Sequence, residues 1–148
     1  MQAFPHRYAV ATSAEPAGDV VLRCDGLEPL PTAAPAEFGG PGNRWSPETM
    51  LVGAVANCFV LTFRAIASAS KLQWSSLAVD VDGTLDRIDR VTRFTALTIR
   101  ATLDLPAGGH DDQARRLLTK AEETCLITRS LTAAVDLQID IRSAQPVS

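Results

Sequence analysis

The segment Trp45-Ser46-Pro47-Glu48, leading into the apolar run Met50 to Phe63, constrains this chain more than any other stretch. The Ser46 hydroxyl can cap a helix, Pro47 suits the first helical position because its missing N–H would go unpaired, and Glu48 favours the positive end of the helix dipole. The pattern predicts a helix from here to about Ser70. Met50, Leu51, Val52, Val55, Phe59, Leu61, Phe63 and Ile66 cover nearly its whole circumference, so it should be buried on all sides, in the core or in a subunit interface. Asn57, Cys58 and Thr62 interrupt the run and Arg64 ends it. It falls short of the ~18 to 20 unbroken apolar residues of a membrane span, so no membrane partner is expected.

The remaining elements are shorter. Tyr8 to Thr12 and Val20 to Cys24 read as strands around a Pro16-Ala-Gly-Asp turn, an N-terminal hairpin. Four prolines and three glycines between Glu28 and Gly42 exclude continuous helix and predict a structured loop or edge segment. Leu77 to Asp82 alternates as a half-buried strand, Asp86 to Arg90 reads as a charged turn, and Val91 to Leu105 completes an antiparallel pair. A second helix is predicted from about Asp111 to Cys125, with Ala114, Leu117, Leu118, Ala121 and Cys125 on its apolar face. Val135 to Arg142 alternates as a last strand. Strands flank two helices without strict βαβ alternation, which predicts an α+β fold.

At 148 residues the chain has the common size of one domain, so a single domain over 1–148 is expected. Fourteen Lys and Arg against 17 Asp and Glu leave a net charge of −3, and no basic stripe is present, which argues against a nucleic-acid partner. The opening residues have no apolar h-region, so cytoplasm is the expected location. Three cysteines, Cys24, Cys58 and Cys125, read in a reducing compartment as small buried hydrophobes or as reactive thiols. No Cys-x-x-Cys pair and no His/Cys cluster has metal-ligand spacing, so no metal is expected.

Gly39-Gly40-Pro41-Gly42-Asn43-Arg44-Trp45-Ser46-Pro47-Glu48-Thr49-Met50-Leu51, followed by Ala54-Val55-Ala56-Asn57-Cys58-Phe59, resembles the central motif of the OsmC/Ohr family. Cys125-Leu126-Ile127 with Ser130-Leu131 resembles that family's second motif. The resemblance spans nearly the whole chain and is weakest before Phe38. It implies antiparallel sheets wrapped around two long helices in an intertwined homodimer. The implied activity is thiol-dependent reduction of organic hydroperoxides. Cys58 matches the peroxidatic cysteine, whose thiolate becomes a sulfenic acid, and Cys125 the resolving cysteine that closes a disulfide. A dithiol reductant would restore both thiols, with no metal, haem or flavin required. Glu48 matches an active-site glutamate that holds an arginine near the cysteine.

The helix itself adds a constraint. Glu48 and Cys58 are ten residues apart, a separation of about 15 Å and a net rotation of about 280° on a straight helix. They cannot touch within one helix, so Glu48 serves a thiol only through a partner subunit or a bridging side chain. Members of the resembled family with strong peroxidase activity carry an arginine in the first hairpin turn, where this chain reads Ser13-Ala14-Glu15-Pro16-Ala17-Gly18-Asp19. Arg44, directly before the helix start, is the nearest replacement, ahead of Arg23 and Arg129. The substrate pocket is expected at the dimer interface, lined by first-helix residues such as Phe59 and Met50. Two alternatives stay open. A non-catalytic OsmC-like binding or stress protein would keep the dimer with its cysteines as packing, and acyl transfer would need His6 or His110 beside Cys58.

Overall fold

A computed structural model describes residues 1–145. It resolves into two compact units, Met1–Leu51 and Val52–Ser148, whose boundary falls inside the long helix.

In the first unit, β1 (Ala11–Ser13), β2 (Val20–Arg23) and β3 (Leu30–Thr32) form an antiparallel sheet in that order. The expected hairpin is present as β1 and β2, and the proline-rich segment supplies β3 at the sheet edge. Pro31 sits opposite Val21 there, where a missing N–H does least harm to the ladder. Thr32 donates its hydroxyl to the Val20 carbonyl at 2.6 Å, and Ala33 N–H reaches the Trp45 carbonyl at 3.0 Å. A single 3-10 turn, Ala36–Phe38, follows. Gly40 lies so close to the Ala34 carbonyl that any β-carbon there would overlap it.

The long helix, α1 (Pro47–Ala69), begins where the sequence places it. Thr49 N–H donates to the Ser46 hydroxyl oxygen at 3.1 Å while Ser46 N–H donates to the Thr49 hydroxyl oxygen at 2.8 Å. This is a reciprocal cap, with threonine in the place usually held by Glu or Gln.

In the second unit, β4 (Ser76–Ile88), β5 (Val91–Leu105) and β6 (Ala134–Ser143) form one sheet with β5 central. The predicted turn at Asp86–Arg90 is tighter than expected. β4 continues to Ile88, and only Asp89 and Arg90 turn, both with positive φ (50° and 68°). Two left-handed residues match the twist of a two-residue hairpin. β4 and β5 pair antiparallel as expected, but β6 pairs with β5 in parallel. The sheet is therefore mixed, a departure from the antiparallel sheets implied by the resemblance, because the chain returns through α2 (Asp111–Thr124) and α3 (Leu126–Arg129) before adding its last strand. The α+β class is as expected.

Register lines up Val81, Ile99 and Leu137, then Val79, Ala101 and Ile139, then Leu77, Leu103 and Ile141 across the three strands. These rows cover one face of the sheet and pack into a cluster with Val55, Phe59, Phe63 and Ala67 of α1 and Ala114, Leu118 and Ala121 of α2. Phe63 meets Trp74 edge to face, with ring centroids 5.4 Å apart. Only one stripe of α1, spaced every fourth residue, is buried within the chain; Leu61 is 57% exposed. The helix as formed is also longer than its apolar run, and by length and composition alone it could cross a membrane. Its buried stripe makes it a core helix of this unit.

Candidate active site

Cys58 lies on the partly exposed flank of α1, one residue before the fully buried Phe59. It is therefore not enclosed as the middle of an all-round buried helix would be. Phe59 is a core side chain at 0% exposure, so it cannot line an open pocket, against the sequence expectation. Cys125 is not on a helix face. α2 stops at Thr124, and Cys125 forms the junction, ending α2 and opening α3 with extended backbone (φ −61°, ψ 113°). Its side chain is fully buried. Its carbonyl accepts the Thr128 hydroxyl and the Arg129 N–H, each at 3.1 Å, which ties the first turn of α3 to the junction. The Arg129 guanidinium donates to the Glu123 carbonyl at 2.9 Å and so covers the last turn of α2.

The junction brings the two thiols together. Burial pushes the Cys58 thiol up, but four donors outweigh it: the Ile127 N–H, the Cys125 thiol, the Thr62 hydroxyl and the Leu126 N–H. Together they hold Cys58 below the ordinary thiol value. Cys125 moves the other way. Burial raises it first, the Thr128 N–H and hydroxyl oppose this, and the hydrogen bond to Cys58 and the charge on Cys58 add to the rise. Both cysteines are free. One thiol is thus held below the ordinary value and the other above it, an asymmetry that suits an attacking and a receiving partner.

Mid-helix on α1, Cys58 lies far from that helix's own N-terminus, and its residue neighbours in the sequence supply no other evident source of thiolate stabilisation. The donors come from the start of α3, where Leu126 and Ile127 present backbone N–H groups. No side-chain signal could have found them, because any residue type supplies an N–H. Thr62 was visible, four residues after Cys58 on the same helix face.

Glu48 and Arg44 belong to the first unit. The Glu48 Oε2 atom is shielded from solvent and has no hydrogen-bond partner among the described residues. Glu48 lines a cavity of 350 Å³ with Val20, Thr32, Ala34, Pro35 and Phe38. Arg44 pairs through Nε with Asp19 at 3.1 Å, which places its guanidinium at the end of the hairpin connection where the family's arginine was sought. Both side chains of that pair are more than a third exposed. Arg129, a further candidate, lies in the same unit as Cys58, where its guanidinium is engaged with the Glu123 carbonyl. His110 caps the start of α2, at the opposite end from Cys125, and 14 helical residues separate them by about 21 Å. His6 is exposed near the N-terminus and bonds the Gln2 carbonyl at 3.0 Å. Among the described residues no group of three or more His, Cys, Asp or Glu is placed to hold a metal ion.

The family model described as OsmC-like protein matches residues 40–140, which include both cysteine motifs. The chain belongs to the OsmC-like family. An OsmC-like protein of unknown function from Vibrio cholerae has the same fold, with a TM-score of 0.81 at 17% identity over 91% of this chain and 99% of that one. A structure from Legionella pneumophila described as an organic hydroperoxide resistance protein OsmC gives 0.73 at 23% identity, over 95% and 99%. The uncharacterized protein YmaD of Bacillus subtilis is 30% identical over 109 residues, 72% of this chain and 73% of the relative. The chain shares its fold with these structures, and some of them carry names that refer to hydroperoxide resistance.

Proposed function

We propose that this OsmC-like protein reduces organic hydroperoxides with Cys58 and Cys125 as its redox pair. The reading rests above all on the two thiols, which act on one another and which burial and different local donors drive in opposite directions. In the first step the Cys58 thiolate attacks the peroxide oxygen distal to the organic group. The O–O bond breaks, an S–O bond forms, sulfur is oxidised to the sulfenic acid, and the alkoxide leaves as the alcohol after taking a proton. The Cys125 sulfur then attacks the sulfenic sulfur, water leaves with the Cys125 proton, and a disulfide forms. A dithiol reductant takes up the oxidation by two exchange steps and returns both cysteines as thiols. Glu48 in this reading orients a guanidinium toward the reacting centre, and Arg44 is the nearest in sequence. The protein works as a homodimer in a reducing compartment such as the cytoplasm.

Free-thiol titration after one equivalent of cumene hydroperoxide tests the proposal. Wild type should lose two thiols and Cys58→Ser none, whereas an unchanged thiol count in wild type rejects it. One observation favours a second reading, an OsmC-like protein without turnover: Asp19 engages the Arg44 guanidinium. An alkylation rate at Cys58 no faster than at a generic buried thiol would point that way.

A further inference from the structure

Helical threonines in this chain follow one habit, and Thr62 departs from it. Thr49 returns its hydroxyl to the Ser46 carbonyl at 3.2 Å, Thr119 to the Arg115 carbonyl at 3.0 Å and Thr124 to the Lys120 carbonyl at 2.7 Å, and Thr128, though it also acts on the Cys125 thiol, reaches the Cys125 carbonyl at 3.1 Å. This back-bonding within the preceding turn is the usual outlet for a hydroxyl inside a helix. For Thr62 the corresponding acceptor is the carbonyl of Cys58. Its partner is instead the Cys58 sulfur, with Oγ1 to Sγ at 3.8 Å and either atom able to donate. Sulfur is a weak acceptor as a thiol and a stronger one as a thiolate, so a hydroxyl turned away from a carbonyl toward it gains most when the sulfur is charged.

We propose that Thr62 is a thiolate-positioning residue, whose hydroxyl donates to the Cys58 sulfur and holds it toward Cys125. The proposal deepens the peroxidase reading and rests on it for its purpose, although the donor role itself can be measured without turnover. The arrangement is complementary. The α3 start supplies two backbone N–H groups that mutation of side chains cannot remove, and Thr62 supplies the one donor on α1 itself. The groups acting on Cys58 are the Cys125 thiol, the Thr62 hydroxyl and the N–H groups of Leu126 and Ile127. Cys125 is the only titratable one, and among the described residues no charged side chain adds to them.

The test is the pH profile of iodoacetamide alkylation at Cys58, followed on the Cys58 peptide by mass spectrometry so that Cys24 and Cys125 do not interfere. Thr62→Val keeps the shape and removes the hydroxyl; it should move the midpoint to higher pH and slow alkylation at neutral pH about fivefold, the effect of one ordinary hydrogen bond. Thr62→Ser should restore the wild-type profile. Thr62→Ala serves if the valine variant does not fold, and its midpoint should also rise. An unmoved midpoint in the folded valine or alanine variant, or a serine variant no better than valine, overturns the proposal. Thiol titration of wild type with cumene hydroperoxide is run in parallel. No thiol loss there defeats the peroxidase reading while leaving the alkylation result to decide the role of Thr62.

Discussion

Burial alone would raise both Cys58 and Cys125, so the difference between them depends on which donors reach each sulfur. A fully buried thiol that keeps its proton is a poor first nucleophile but a suitable second one, since it must wait for an electrophilic sulfur. Cys125→Ser should therefore leave the first step intact and block the second. After one equivalent of cumene hydroperoxide this variant should lose one thiol rather than two and become labelled by dimedone, which traps sulfenic acids. Retention of every thiol would overturn the first step, and loss of the Cys24 thiol instead would place the oxidation elsewhere. Three residues before Cys125, Glu122 is raised by burial and then by the charge of Glu123. A carboxyl raised in the folded state contributes stability that is fully present below its unfolded value and is lost as pH rises through the folded value. Glu122→Gln removes that loss. The variant should match wild type at about pH 4 and exceed it at neutral pH by only about a few tenths of a kcal/mol because solvent screens the pair, as urea midpoints would read. A gap of the opposite sign at neutral pH would show that the charged carboxylate is favourable where it stands.

The elements differ in how far their sequences disclose them, and the difference has a physical basis. The start of α1 was legible because Ser46 and Pro47 act locally, through a hydroxyl and a missing N–H. The end of α2 was not. From Asp111 to Leu131 the chain has neither glycine nor proline, so nothing in residue type marks the break at Cys125. The break is held instead by bonds that form after it, from Thr128 and Arg129. The alternation of β6 was plain, but alternation has no direction, and only the crossover through α2 and α3 makes its pairing parallel. The cysteines were legible as a motif, while the N–H groups that act on Cys58 depend on that unmarked break. A close helix-to-sheet approach was similarly hidden in one glycine of β4. A β-carbon at Gly83 would stand 2.8 Å from Val52 Cγ2 and 3.0 Å from the Phe94 ring. Gly83→Ala should cost about 1–3 kcal/mol by overpacking, and Val52→Ala should recover part of it in a double-mutant cycle measured by urea unfolding. Additive losses would mean that the strain lies against Phe94 alone.

For the whole molecule, the apolar surface of α1 is only partly covered within one chain. Val55, Phe59, Phe63 and Ala67 are fully buried, yet Leu51, Val52, Leu61 and Ile66 keep solvent contact, with Leu61 57% exposed. Each large aliphatic side chain removed from water is favourable by about 1.5–3 kcal/mol, so an uncovered helix flank of this kind favours association. The homodimer proposed with the peroxidase activity would cover it with a second copy, and a two-fold contact would set the same residues against one another. Sedimentation equilibrium should then give twice the chain mass of 15.8 kDa. Leu61→Glu would place a charge in that contact, where an unpaired carboxylate is expensive to desolvate. This variant should sediment as a single chain while its far-ultraviolet circular dichroism stays that of wild type, because Leu61 is outside the core cluster. A wild-type chain that sediments at 15.8 kDa would remove the dimer from the proposal. A Leu61→Glu dimer as tight as wild type would move the contact to another face.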